Sequence, residues 1–472
     1  MGSDGTSTSH GFSSQLAPNA LHRSLILSAC ASGFGSIFFT IVQGTVFNFF
    51  LEELELRDRL PFFMALWCLG GLGNLAGSWL VRRSGERKKV FFYCAGLSRV
   101  MWLGIGLIPL LKPEWGKGDP AFLWLSVAIF VFYFWHSMGA VAWMSWMGDL
   151  VPPHLQSRYW SLRQVGTSFT AVLARVVTGY YLDLHKNPEA FAIVFGCTVV
   201  IGLIDAMFFI RVEHRKPEAS TEAPRMFHEF KTRLTEPAFR KLCGVYILWS
   251  VSNAILGPTA YYFLRDTIHL EVGPISTLDA FGLVWLTIFS LLWGRYVDRH
   301  GYRAPLVACL LLQAIGPFFY FFARTGDVAL VLLTTVFTTI GFCGTNLFML
   351  PLCMRYARQQ DGSREAGLAA FQVGLSLTQA AVLLITDRHI YHFAGSILRV
   401  SPYSTQVYLA LVCVVIWLRL MAAYMAWRLP REENESSFTE ILSEAAAANP
   451  LHASWRYIKY LGRRGPPSEG DR

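Results

Sequence analysis

Polar and apolar residues do not alternate along this chain; they separate into continuous apolar runs divided by short charged loops. Each run holds roughly twenty residues, the length at which a helix rising ~1.5 Å per residue crosses ~30 Å of hydrocarbon. Strands of a membrane barrel would show the alternation that is missing here. Twelve runs can be drawn, at 25–50, 61–81, 90–111, 121–147, 162–182 and 190–210 in the first half and at 242–264, 272–293, 305–323, 328–352, 367–386 and 404–427 in the second. The pattern predicts an all-α polytopic membrane protein with twelve transmembrane helices.

Composition narrows the function classes. The 472 residues are 53% hydrophobic and only 15% charged, too apolar a balance for a soluble chain of this length. A net charge of +9 would suit nucleic acid if it were concentrated, but the Lys and Arg residues gather in alternate loops, chiefly 82–89 and 211–241. The loop after the first run instead carries Glu52, Glu53, Glu55 and Asp58. This is a topology signal: it places both termini on the cytoplasmic side of a bacterial-type inner (plasma) membrane. The partners expected are the lipid bilayer and a small-molecule solute, with no nucleic acid, and the oligomeric state expected is a monomer.

The organisation that follows is a cytoplasmic segment at 1–23, a first six-helix bundle at 24–211, a cytoplasmic linker at 212–241, a second bundle at 242–429 and a cytoplasmic tail at 430–472. Residues 1–23 lack the positive region and cleavage site of a signal peptide. In the linker, Phe227, Phe230 and Leu234 recur at helical spacing among Lys231 and Arg233, as in an amphipathic helix lying on a membrane surface. The tail has a capping-box pattern from Ser437 to Glu440 and a basic aromatic segment around Trp455 and Lys459. The nine cysteines are scattered without CxxC spacing, which suits small packing residues.

The two halves repeat one another at matched places. Ser78-Trp79-Leu80-Val81-Arg82-Arg83-Ser84-Gly85 follows the second run, and Gly294-Arg295-Tyr296-Val297-Asp298-Arg299-His300-Gly301 follows the eighth. The fifth and eleventh runs open on Gln164-Val165-Gly166-Thr167-Ser168 and Gln372-Val373-Gly374-Leu375-Ser376. The loop of the second half resembles the G-x-x-x-D-R-x-G-x-R signature of the major facilitator superfamily, matched at Gly294, Asp298, Arg299, Gly301 and Arg303. The loop of the first half departs from it, with Ser78 for the leading glycine and Arg82 for the aspartate. A short charged loop that merely obeys the positive-inside rule is the plainer alternative there.

That resemblance covers residues 25–427 and implies two pseudo-symmetric six-helix bundles rocking about a central cavity, with the signature loops at an inner gate. It extends to the connection after the fourth run, where Gly148-Asp149 precedes Arg158 and Arg163. Asp149 is expected to pair with Arg82, Arg158 or Arg163 and hold the inner side closed.

Ionisable side chains within the runs are costly in hydrocarbon and normally face protein, a partner or water. Arg99 and Asp205 fall at similar depths in the third and sixth runs and are expected to form a structural pair. Gln164, Ser168 and Arg175 share one face of the fifth run, and Gln372, Ser376 and Gln379 repeat the stripe in the eleventh. The resemblance sets both helices beside the cavity, so these are candidate substrate contacts, as is Asp279 in the eighth run. It also implies that the first, fourth, seventh and tenth runs line the cavity, which adds Gln43, His136 and Asn253. His136 can titrate near neutral pH, so it is either a proton-coupling group or a packed histidine.

The function expected is secondary active transport of a small solute by alternating access, proton-coupled through Asp279 or His136 or else a uniport. A non-transporting sensor on the same fold is an alternative. A membrane-embedded enzyme is another, but the sequence has no HExxH, no clustered metal ligands and no nucleophile with a matched base. There is no nucleotide-gripping G-x-x-x-x-G-K-[ST] loop, and no metal or cofactor is expected.

Overall fold

The computed structural model describes residues 18–111, 117–152, 156–214, 234, 236–356 and 364–430. The amphipathic stretch with Phe227 and Phe230 and the tail with its Ser437 to Glu440 pattern lie outside these residues, as do the side chains of Arg82, Arg158, Asp298 and Arg299.

Each of the twelve apolar runs coincides with a helix or with a broken pair of helices. In the first half these are α1 (Pro18–Val42) and α2 (Thr45–Glu53), α3 (Leu60–Gly70) and α4 (Gly73–Ser84), α5 (Arg87–Leu107), α6 (Gly118–Leu150), α7 (Gln156–Leu184) and α8 (Pro188–Phe208). In the second half they are α9 (Pro237–Asp266), α10 (Val272–His300), α11 (Arg303–Phe318), α12 (Val328–Tyr356), α13 (Arg364–Ile385) with α14 (Tyr391–Leu398), and α15 (Thr405–Trp427). Among the described residues, ten helical stretches are long and apolar enough to cross a membrane. α7, which carries Arg163, Arg175 and Asp183, is not one of them, and the apolar part of α13, Phe371–Ile385, is shorter.

The chain groups into two compact units, Met1–Arg57 with Leu66–Ala223 and Asp58–Ala65 with Pro224–Arg472. In the first, α1 packs on α7 and α8, α5 on α6 and α8, and α4 on α6. In the second, α9 packs on α13 and α15, α11 on α12 and α15, and α10 on α12. Counted as crossings, both units join first to fifth, first to sixth, third to fourth, third to sixth and second to fourth. The few repeated words of the sequence thus mark a repeat of the packing itself.

Lipid gives helices no hydrophobic reason to associate, so close backbone approach between small residues has to hold them. Between α3–α4 and α6 the approach is extreme. A Cβ on Gly70 would stand 2.3 Å from Tyr133 Cβ, one on Gly73 2.1 Å from Phe134 O, and one on Gly77 2.7 Å from Met138 O.

The signature loops repeat as geometry too. Gly85 ends α4 at φ 63° and Gly301 ends α10 at φ 73°, backbone angles that a side chain disfavours. Their N–H groups close the preceding helices onto Val81 O at 2.9 Å and Val297 O at 3.0 Å. No described atom lies within 4 Å of where a Cβ on Gly294 would sit, so close helix approach does not account for that glycine.

Just beyond each loop a basic side chain reaches the far end of the same unit. Lys88 Nζ donates to Ile210 O at 2.8 Å and Val212 O at 3.0 Å, after α8. Arg303 Nη1 donates to Trp427 O and Leu429 O, both at 3.2 Å, at the end of α15, and its guanidinium lies 4.9 Å over the Trp427 ring. A cation there satisfies carbonyls that have no partner within their own helix and complements the negative end of the helix dipole.

Candidate functional site

A cavity of about 430 Å³ lies inside the first unit, walled by α1, α5, α6, α7 and α8. That volume falls within the ~300–1,000 Å³ usual for small-molecule sites. Its polar wall is made of Arg99, Asp205, Arg163, His136, Ser32, Ser36 and Thr167, and its apolar wall is largely aromatic, with Phe39, Phe91, Trp143 and Phe209.

The charges are held in different ways. Arg99 on α5 donates through Nη2 to Asp205 on α8, with 5% and 7% of the two side chains exposed. Its Nη1 donates to Ala95 O at 3.1 Å, and its guanidinium lies 5.4 Å from the Phe38 ring centre and 5.7 Å from that of Phe39. Gly35 on α1 leaves the space for the carboxylate, since a Cβ there would stand 3.1 Å from Asp205 Oδ2. Burial makes such a pair depend on each partner's full complement of contacts. Among the described residues Arg163 on α7 has no ion-pair partner: its guanidinium lies 4.5 Å from the Trp143 ring centre and 5.2 Å from that of Trp160. His136 packs 4.4 Å from the Phe39 ring centre and stacks at 6.2 Å on Phe132.

The other residues singled out in the sequence scatter around this cavity or lie elsewhere. Ser168 is buried and accepts from Gln164 Nε2 at 3.3 Å, so these two stripe residues do meet. Arg175 donates to Thr40 Oγ1 at 3.4 Å and lies against Gly44, at the break between α1 and α2. Gln43 is half-buried and hydrogen-bonds the Tyr133 side chain. In the second unit, Asp279 is half-buried on α10, Gln372 is exposed, and Ser376 and Gln379 are half-buried.

Of the partners expected for Asp149, the structure sets Arg163 aside and shows another cation in its place. The Asp149 carboxylate accepts from Arg87 Nη1, not from Arg163, and the side chains of Arg82 and Arg158 lie outside the described residues. α7 carries Arg163 inward onto the tryptophan rings, away from the end of α6 that its place in the sequence suggests.

The second unit holds a buried charge that sequence reasoning missed. Arg419 on α15 is fully buried. It donates to Gln313 O, to Asn253 Oδ1 at 3.0 Å and to Ser252 Oγ at 3.4 Å. The Gln313 side chain accepts from Trp249 Nε1 at 3.0 Å and donates to Thr345 Oγ1 at 2.9 Å. Among the described residues no carboxylate forms an ion pair with Arg419, so oxygen dipoles alone solvate the guanidinium. A lone charge in the run at 404–427 was the available signal. Both units therefore bury an arginine where their third and sixth crossings meet, but among the described residues only the first supplies a counter-ion.

Among the described residues no group of three or more His, Cys, Asp and Glu stands close enough to hold a metal ion, and the nine cysteines are free.

Two copies of one six-crossing arrangement, with charges buried at their junctions and a solute-sized cavity in one copy, define a duplicated helical membrane carrier fold. The sequence profile of the Major Facilitator Superfamily matches residues 25–381 and 242–462, and the chain belongs to that superfamily. YhjO, an uncharacterized MFS-type transporter of Bacillus subtilis (strain 168), is 29% identical over 109 residues, which is 22% of this chain and 26% of that protein. The match thus spans about a quarter of that relative's length. Among solved structures, a D-xylose–proton symporter aligns with a TM-score of 0.64 at 18% identity, over 89% of this chain and 100% of that one. The nucleoside transporter NupG aligns with a TM-score of 0.63 at 12% identity, over 85% and 99%. A bacterial homologue of the human peptide transporters PepT1 and PepT2 aligns with a TM-score of 0.62 at 12% identity, over 87% and 98%. At these identities the likeness is one of fold.

Proposed function

We propose that this protein is a secondary transporter that carries a small solute by alternating access, acting as a monomer in an inner, plasma-type membrane with both termini in the cytoplasm. The observation that carries the reading is the cavity of about 430 Å³ bounded by Arg99, Asp205, Arg163 and His136. Ionisable groups are expensive inside membrane helices and characteristically mark solute and ion pathways. The sequence has no phosphate-gripping loop, so the driving force is a gradient of solute or ion rather than nucleotide hydrolysis. Proton coupling belongs to the proposal, with His136 in the cavity wall or Asp279 in the second half as the group that carries the proton. Ser168, Gln164 and Arg175 extend the polar lining proposed for the solute along α7, and Asp279, Gln372, Ser376 and Gln379 are its proposed contacts in the second half.

The test is counterflow in sealed vesicles containing the purified protein, across a panel of solutes and with an imposed pH gradient. Saturable exchange that needs no nucleotide supports the carrier. Saturable binding without flux points instead to a sensor, and chemical turnover of the solute to an enzyme.

A further inference from the structure

We infer that the cavity of the first unit takes a small organic monoanion with a flat or apolar body, and that Arg163 is the group that receives its negative charge. The inference treats the cavity as the solute site and so rests on the carrier reading.

Three observations lead to it. First, two guanidinium groups and one carboxylate line the cavity, and Arg99 already holds that carboxylate through a direct hydrogen bond. The wall is left with one positive charge in excess. Second, among the described residues Arg163 has no hydrogen-bond acceptor, and its Nε is buried without a partner. Its guanidinium carbon lies over the rings of Trp143 and Trp160, contacts that use none of its N–H bonds. A guanidinium whose N–H groups lack an acceptor matches a carboxylate, which can accept two parallel N–H bonds. Third, apart from His136 and the hydroxyls of Ser32, Ser36 and Thr167, the wall is largely ring and methylene surface from Phe39, Phe91, Trp143 and Met144, which favours an apolar body behind the acid group over a heavily hydroxylated one.

The chemistry excludes the neighbouring choices. A cationic solute would meet the excess positive charge. A dianion such as a phosphate ester would bring a second charge for which the wall has no free cation, because Arg99 is committed to Asp205.

The test uses the full-length protein in detergent and reads its thermal midpoint with benzoate, hexanoate, benzamide and benzylamine added in turn. Benzoate or hexanoate should raise the midpoint saturably, whereas benzamide and benzylamine should not. Arg163→Gln should weaken the acid's apparent affinity about tenfold or more, the scale of a lost charge-assisted contact, and Arg163→Lys should restore part of it. The comparison of acid with amide on the unmutated protein stands even if the variants fold poorly. No shift with either acid, an equal shift with benzamide, or an undiminished benzoate shift in Arg163→Gln would overturn the inference. Vesicle flux separates it from the carrier reading. Benzoate binding without benzoate transport removes the carrier and keeps the anion site, whereas transport of an uncharged solute that benzoate does not inhibit keeps the carrier and removes the anion site.

Discussion

Arg99 and Asp205 form a closed ion pair between α5 and α8, with 5% and 7% of their side chains exposed. Removing one partner strands the other as an isolated buried charge. Arg99→Gln or Asp205→Asn should each cost about 3–5 kcal/mol of stability, as for other buried pairs broken from one side. The double variant should recover part of that loss, because neither charge is then left alone. Denaturation in detergent of the two single variants and the double variant, read as a thermodynamic cycle, checks this: additive losses would show that the two groups do not act as a pair.

Asn253 makes a contrasting prediction. Its Oδ1 accepts from Arg419 at 3.0 Å, inside the network that also contains Gln313, Ser252 and Thr345. Asn253→Ala should therefore lower stability by about 1–3 kcal/mol, the usual cost of leaving a buried polar group short of a partner. Arg419→Leu should lower it further, since Gln313 O and Asn253 Oδ1 then both lose a charged donor. Thermal midpoints alongside solute affinities decide the matter, with the midpoint expected to move more than the affinity for Asn253→Ala.

Gly73→Leu tests the close packing of α4 on α6. A Cβ at Gly73 would stand 2.1 Å from Phe134 O, and backbone cannot yield as the end of a flexible side chain can. The helices would have to separate, with loss of contact along Gly70 and Gly77 as well. The expected outcome is a sharp fall in monodisperse protein by size-exclusion chromatography. Gly96→Leu on α5, where no described atom lies within 4 Å of the added Cβ, serves as the tolerated control.

Arg59 and Asp387 supply the last prediction. Asp58–Ala65 groups with the second unit, where Arg59 Nη1 lies 3.0 Å from Asp387 Oδ2 in the π turn Thr386–Ile390. If that tie helps set the transport cycle, Asp387→Asn should alter the counterflow rate, and the exchanged pair Arg59→Asp with Asp387→Arg should bring it back toward the original. Rates unchanged in both variants would make the pair a purely local brace.

Most of the crossings were legible in the sequence because apolar run length governs whether a helix can span lipid; α7 and α13 fall short of that measure. The internal breaks of the crossings were not. The interruption at Gly44 and the step between α3 and α4 fall on glycines (Gly70, Gly71 and Gly73 in the second), and a glycine inside an apolar run can equally mark close helix packing. Charge partners proved hardest to read. Arg163 follows Asp149 closely in the chain, which suggested a pair, yet helix direction decides where a side chain goes, and Arg163 lies against Trp143 and Trp160 instead. Arg87 was one cation in a dense basic stretch, and nothing in that stretch distinguishes the member that reaches Asp149. Arg419 escaped notice because one charge barely alters the mean apolarity of a long run, and its partners Asn253 and Gln313 are distant in sequence. Local pattern determines where a helix forms, whereas long-range meetings of side chains depend on packing that no window along the chain contains.

Lys88 and Arg303 show what duplication preserved when the residues themselves changed. One is an ammonium and the other a guanidinium, yet each fastens the start of a third crossing to the end of a sixth. A fastening that depends only on positive charge meeting bare carbonyls tolerates drift in sequence. Ancestral kinship between the halves can therefore persist in their joinery long after it has faded from their letters.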